Sequence, residues 1–106
     1  MIADAAVLED AARRFALMGE PTRLRILHIL MERGELTVSA IANAAGISRF
    51  NASVHLNRLG GAGLVSRRCA WTRVFYRTED ENLPRICEWM RNSLQARARV
   101  LSGSAG

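Results

Sequence analysis

The sequence predicts a mainly α-helical domain with one small β-hairpin, in the order helix, helix, short helix, helix, hairpin, helix. Two observations predict it. Apolar residues recur at helical spacing from Leu8 to Leu59, with breaks at Gly19, Gly34 and Gly46. From Gly63 the period switches to two, through Leu64 and Val65 and then Val74, Phe75 and Tyr76, before a last helical stripe.

Leu8, Ala11, Ala12, Phe15 and Met18 form the stripe of an amphipathic first helix, with Glu9, Asp10, Arg13 and Arg14 facing away. Gly19 ends it. Glu20-Pro21 restarts the chain, because a carboxylate caps free N–H groups and proline suits a first turn whose N–H groups have no helical acceptor to lose. This second helix runs to about Glu32 and turns Leu24, Leu27 and either Leu30 or Met31 inward, and Gly34 stops it. Thr37 caps a short third helix through Ala45, with Val38, Ile41 and Ala44 on its inner side. Gly46 ends that helix in the left-handed conformation that only glycine adopts cheaply. Ser48 caps a fourth helix that fades at Gly60-Gly61.

Two strands flanking Cys69-Ala70-Trp71-Thr72 form the hairpin, although this turn lacks the Asn-Gly pair favoured in tight hairpins. Asp80 or Glu81 opens the last helix, whose stripe is Leu83, Ile86, Cys87, Met90 and Leu94, with Pro84 tolerated in its first turn. Residues 102–106, Ser-Gly-Ser-Ala-Gly, read as a flexible tail, leaving residues 1–101 as one domain. Two helices joined by a tight glycine turn and followed by a basic hairpin make a winged helix-turn-helix.

At 49% hydrophobic and 24% charged, a chain of 106 residues is expected to form one globular domain. No apolar stretch approaches the roughly 20 residues that cross a bilayer, and no basic segment precedes an apolar one at the start. A cytoplasmic protein without a membrane partner is therefore expected. No Gly-rich phosphate loop, nucleophile elbow, paired-carboxylate motif or histidine cluster stands in the sequence, so no catalytic residues and no cofactor are expected. Cys69 and Cys87 provide neither a disulfide framework nor a CxxC metal knuckle.

The charge pattern is more directive. Between Leu36 and Thr78 stand six arginines (Arg49, Arg58, Arg67, Arg68, Arg73 and Arg77) and no Asp or Glu, although the whole chain carries only +5. A one-signed patch attracts polyanions, of which nucleic-acid phosphate is the commonest large one. All 15 basic side chains are arginine, which pairs bidentately with phosphate and guanine. The alternative, a solvated face with no partner, has to be decided by local sequence.

Two segments decide it. One is Glu20-Pro21-Thr22-Arg23-Leu24-Arg25-Ile26-Leu27; the other is Ile47-Ser48-Arg49-Phe50-Asn51-Ala52-Ser53-Val54-His55-Leu56-Asn57-Arg58-Leu59, followed by Ala62-Gly63-Leu64-Val65. Together they resemble the ArsR/SmtB family of bacterial winged-helix repressors over about residues 8–95. Glu20 stands where that family usually has Asp, and Phe50 where a second small polar residue often sits. The resemblance implies a homodimer, joined through the first and last helices, that binds a pseudo-palindromic double-stranded DNA operator and lets go when a ligand is sensed.

The residues themselves point the same way. On a helical wheel Ala52, Leu56 and Leu59 share one side of the fourth helix, about residues 48–60. The other side presents Phe50, Ser53, Val54, Asn57 and Arg58, flanked by Arg49 and Asn51. Asn can pair with adenine and Arg with guanine at major-groove edges, and Phe50 and Val54 can meet thymine methyls unless they pack on a neighbouring element. Ser48 and His55 complete the candidate DNA-binding set on this helix, His55 in a structural or phosphate-contacting role. In the wing, about residues 64–78, alternation aims only some arginines outward, so Arg67 or Arg68, with Arg73, is expected to reach phosphates or the minor groove.

The sensing half is less legible. Family members that bind arsenite or soft metals often carry Cys-x-Cys at the start of the third helix; here Thr37 and Ser39 stand in those places, and hydroxyls are poor soft-metal ligands. A second family site uses Asp and His on the last helix; Asp80 is present, but Asn82 and Ser93 replace the histidines. No metal is expected at either. Cys87, within the last helix's stripe, and Cys69, beside Arg67 and Arg68, remain candidate sensor thiols for thiol-reactive or soft-metal signals. The competing reading is a winged-helix protein-interaction module that senses no ligand of its own.

Overall fold

The computed structural model describes residues 4–103. Five helices and three short strands follow one another as α1 (Ala5–Met18), α2 (Pro21–Arg33), β1 (Leu36–Thr37), α3 (Val38–Ala45), α4 (Arg49–Gly61), β2 (Val65–Ala70), β3 (Arg73–Thr78) and α5 (Leu83–Gly103). The fold is a winged helix-turn-helix, mainly helical as expected.

Local chemistry fixes the helix starts. The carboxylate of Asp4 accepts from the Ala6 N–H, that of Glu20 from the Arg23 N–H, the Thr37 hydroxyl from the Ala40 N–H and the Ser48 hydroxyl from the Asn51 N–H. Each satisfies an N–H that the helix leaves unpaired, worth about 1 kcal/mol. Pro21 sits in the first turn of α2 as expected. Gly46 closes α3 at φ +70°, and Ile47 N–H donates back to the Ala42 carbonyl, which sets the tight turn into α4.

The core lies where α2, α3 and α4 meet the base of the sheet. Ile26, Leu27 and Leu30 of α2, Ile41 of α3, Leu56 and Leu59 of α4, and Leu64 and Leu83 are fully buried. Each such side chain contributes roughly 1.5–3 kcal/mol through its removal from water. Val65 and Tyr76 close the sheet side of this core.

Several expectations need correction. The hairpin is part of a three-stranded antiparallel sheet of order β1-β3-β2, in which Leu36 pairs with Tyr76 and Thr37 with Phe75. A two-residue strand carries no alternation to read, so β1 was invisible in the sequence. Leu24 is 41% exposed, and Ile26 and Ile29 occupy the inner face of α2 instead. In α1 only Met18 is buried, and in α5 only Leu83. Ala11 and Cys87 are half-buried, and the rest of both stripes, including Leu8, Phe15, Ile86, Met90 and Leu94, is open to solvent. Strand β2 continues through Ala70, so the turn is Trp71-Thr72 alone, with Ala70 paired to Arg73. Trp71 adopts φ +58°, where a side chain of its bulk costs on the order of 1–2 kcal/mol. Helix α5 continues through Ser102 and Gly103, two residues into the expected tail, and residues 104–106 lie outside the described ones. Among the described residues no helix is long and apolar enough to cross a membrane.

Candidate nucleic-acid interface

Ala52, Leu56 and Leu59 are wholly buried, so they lock the rotation of α4 about its axis. The face opposite has to project. Arg49, Phe50, Asn51, Asn57 and Arg58 are exposed, Phe50 to 75%, whereas Ser53, Val54 and His55 are half-buried. Phe50 and Val54 therefore part company: Val54 leans into the body, and Phe50 stands clear of it. Ser48 is exposed, with its hydroxyl engaged as the α4 cap.

The Nδ1 atom of His55 is buried and has no hydrogen-bond partner. The imidazole acts on the Glu20 carboxylate, which is held below the usual carboxylate range first by the backbone N–H groups of Arg23 and Thr22 and to a lesser degree by His55 and the Arg23 side chain. Arg23 itself donates from Nε to the Leu17 carbonyl at 2.8 Å, tying α2 to the end of α1.

Strand register sorts the wing arginines. Arg67 lies across from Tyr76 and Arg68 across from Phe75, so the two point to opposite faces of the hairpin. Arg67 is exposed and shares a cleft of about 330 Å³ with Leu56, Asn57, Gly60, Val65 and Tyr76. The structure thus brings together Asn57 of α4 and Arg67 of the wing. Arg58 takes the other flank, lining a cleft of about 620 Å³ with Arg13 and Arg14 of α1. Arg73 is exposed at the turn.

Arg68 is differently employed. Its guanidinium donates from Nε to Glu35 Oε2 at 3.1 Å and from Nη2 to Glu35 Oε1, and it lies 5.1 Å from the centre of the Phe75 ring. The Arg68 side-chain hydrogen bond is the main reason the Glu35 carboxyl titrates below its ordinary range, with the charges of Arg68 and Arg77 adding to it; the same bond raises Arg68. Arg77 donates from Nε to the Ser66 hydroxyl at 3.4 Å across the same face. The acid just before the arginine window therefore reaches into it and occupies one of the two arginines expected to alternate for phosphate. That pairing spans 33 positions, and no local pattern could have shown it.

The candidate sensor positions are separate. Thr37 has its hydroxyl engaged in capping α3, and Ser39 is exposed. The Asp80 carboxylate accepts from the Asn82 N–H at 2.8 Å and lies 3.8 Å from an Arg14 guanidinium nitrogen. Both cysteines are free; Cys69 is exposed in β2, and Cys87 is half-buried in α5, where burial pushes its thiol up. Among the described residues no three or more His, Cys, Asp or Glu side chains are grouped to hold a metal ion.

The sequence reading passed over one residue at this interface. Trp71, which the sequence places within the hairpin turn, is the fully exposed tip of the wing. Tryptophan's β-propensity is a signal for strand or core, and it gave no warning of this position.

Comparison with known proteins agrees with the fold. The sequence profile described as bacterial regulatory protein, arsR family, matches residues 20–67, from the α2 cap into β2. Rv0324, an HTH-type transcriptional regulator of Mycobacterium tuberculosis, is 39% identical over 82 residues, which are 77% of this chain and 36% of that protein. The cadmium resistance transcriptional regulatory protein CadC homolog of Staphylococcus aureus is 33% identical over 79 residues, 74% of this chain and 65% of its own length. The chain thus spans less than two thirds of either relative. Among solved structures, the homodimeric winged helix-turn-helix DNA-binding domain (fragment 1–100) of Mb0332 from Mycobacterium bovis matches with a TM-score of 0.81 at 33% identity, covering 92% of both chains.

Proposed function

Because this chain belongs to the ArsR family of bacterial regulatory proteins, we propose that it represses transcription as a homodimer bound to a pseudo-palindromic DNA operator. In this reading α4 lies in the major groove, with Phe50, Asn57, Arg58 and the flanking Arg49 and Asn51 toward base edges and adjoining phosphates, and the half-buried Ser53 and Val54 at the margin of that face. Ser48 caps the reading helix, and His55 supports it from the half-buried side. The hairpin is the wing, and Arg67 and Arg73 are its phosphate contacts. The observation that carries the proposal is the exposed polar face of α4, held outward by three fully buried residues inside an acid-free window.

The homodimer is supported by what the single chain leaves bare. Val7, Leu8 and Phe15 of α1 and Ile86, Trp89, Met90 and Leu94 of α5 are exposed, and an apolar stripe left bare along a helix marks an interface. The relative from Mycobacterium bovis is homodimeric, and this chain matches it over 92% of its length.

The proposal extends to induction by a thiol-reactive or soft-metal signal at the cysteines. Cys69 is the more accessible, and burial raises the Cys87 thiol. The CadC homolog is named for cadmium resistance, which is the same class of soft ion. Operator release by arsenite or oxidant should disappear in a Cys69→Ser, Cys87→Ser double variant; release that persists unchanged removes both thiols from the mechanism.

The DNA-binding reading is tested by titrating duplex DNA at several salt concentrations. Affinity should fall steeply and log-linearly with salt, as counterions return to the phosphates. Weak binding with a flat salt dependence would instead favour a winged-helix module that contacts other proteins.

A further inference from the structure

Trp71 is the most exposed large apolar side chain among the described residues, at 102% relative exposure. It occupies the first position of the two-residue turn between Ala70 and Arg73, with φ +58°. No other non-glycine among the described residues has a positive φ. Glycine, asparagine or aspartate is the residue such a position ordinarily takes, because they tolerate the left-handed backbone. Here the turn instead carries the bulkiest side chain, in a strained conformation that holds the indole out in solvent.

Its surroundings narrow what the ring could meet. Arg67 and Arg73 are exposed on the flanking strands, and no carboxylate occurs from residue 36 to residue 78. The other exposed apolar side chains lie on α1, α2, α4 and α5, so the indole belongs to none of the helical faces that a second copy would cover. A flat apolar ring within a cationic rim complements a partner with an anionic rim and flat apolar faces inside it. Duplex DNA is such a partner, with phosphates outside and stacked bases within.

We propose that Trp71 is a minor-groove wedge: the wing arginines seat the hairpin on the phosphates, and the indole enters between or against base pairs and bends the duplex. This rests on the reading of the chain as a duplex-DNA binder and adds to it a residue that acts on DNA shape. Because a wedge selects steps that unstack easily, it gives preference for pyrimidine–purine steps where the wing lands, outside the bases read by α4.

The turn geometry supplies an unusually clean variant. Trp71→Gly removes the ring and also relieves the backbone, since glycine is the preferred residue at a positive-φ hairpin position. The hairpin should therefore be kept, and thermal stability should hold or rise. The full chain is used, with duplexes that the wild-type protein selects from a random pool of about 30 base pairs, enough for two half-sites a helical turn apart.

Trp71→Gly should lower affinity for the selected duplex about fivefold to a hundredfold per half-site, the range set by loss of one aromatic stacking contact from each subunit. Its salt slope should stay that of the wild type, because no charge is removed. End-to-end energy transfer across the duplex should show a bend with wild-type protein and a straighter duplex with the variant, and Trp71→Phe should restore part of it. In protein labelled with 5-fluorotryptophan, the resonance absent from Trp71→Gly should shift and lose solvent sensitivity when duplex is added. Selection that enriches a duplex, with equal binding and equal bend for wild type and Trp71→Gly, overturns the wedge and leaves the repressor reading intact. Selection that enriches nothing overturns both.

Discussion

Helices α4 and α5 are both amphipathic, but the chain completes only one of them. The apolar side of α4 is sealed by α2, α3 and the sheet, and Ala52, Leu56 and Leu59 retain no exposure. Along the 21 residues of α5 only Leu83 is buried, and Trp89 remains 64% exposed. Exposed side chains therefore mean different things on the two helices. On α4 they are polar or basic apart from Phe50, and they sit on a finished core, which suits reversible contact with a hydrated, charged surface. On α5 and α1 the apolar stripe itself is exposed beside the charged face, which suits a persistent contact that removes it from water. Under the proposed function, the two surfaces have two partners: DNA for α4, and a second copy of this chain for α1 and α5.

The largest effect should come from spoiling the unfinished surface. A Trp89→Glu, Leu94→Glu variant places charge where apolar surface would be buried, and burying an unpaired charge is costly. Sedimentation should show wild-type dimers and variant monomers. Affinity for a two-half-site duplex should fall about a hundredfold to ten-thousandfold, because linked binding of the two halves is lost. A wild-type protein that sediments as a monomer at micromolar concentration would break the comparison at its root.

Next in size is a change on the finished surface. Asn57→Ala should weaken binding to a selected duplex by about 1–3 kcal/mol per half-site, a fivefold to 150-fold loss for each, with little effect on random duplex. The substitution lies on an exposed helical face, so the melting temperature should scarcely move. Equal losses on both duplexes would demote Asn57 from base reading to general contact.

What could be read from the sequence divides along physical lines. The caps at Glu20, Thr37 and Ser48, the left-handed Gly46 and the inner face of α4 were all legible, because each depends on residues three or four apart. The α1 and α5 stripes were legible as amphipathic, but an amphipathic pattern does not say whether its own chain covers it. Leu24 was misplaced because α2 carries apolar residues around much of its circumference, so the inner face was ambiguous by spacing alone. Strand β1 and the Arg68–Glu35 pair arise from tertiary contact between distant segments, and nothing local marks them. Among the candidate site residues, periodicity placed Asn57 and Phe50 correctly on an exposed face, but could not choose between Arg67 and Arg68.

That choice is open to a smaller-scale test. If Arg67 meets phosphate and Arg68 braces the wing against Glu35, Arg67→Ala should reduce the slope of log affinity against log salt by about 0.9 per subunit. Arg68→Ala should leave the slope near the wild-type value while lowering the melting temperature. A reduced slope in Arg68→Ala would mean that DNA phosphate takes Arg68 away from Glu35.

The least effect, and the one most specific to this brace, should appear in acid. Arg68 holds the Glu35 carboxyl below its ordinary value of 4.5, while Arg68 stays protonated throughout. A depressed carboxyl means that the unfolded chain binds the proton more readily than the folded one. The stabilisation is therefore complete above the ordinary value and is lost as pH falls through the lower, folded value. Glu35→Gln should consequently be less stable than the wild type at neutral pH, and the gap should close as the solution is acidified below 4.5. Denaturant midpoints measured across that range check the sign. A gap that is constant with pH would mean that the charge on Glu35 contributes nothing, and that the wing is held by the Phe75 stacking and the strand pairing alone.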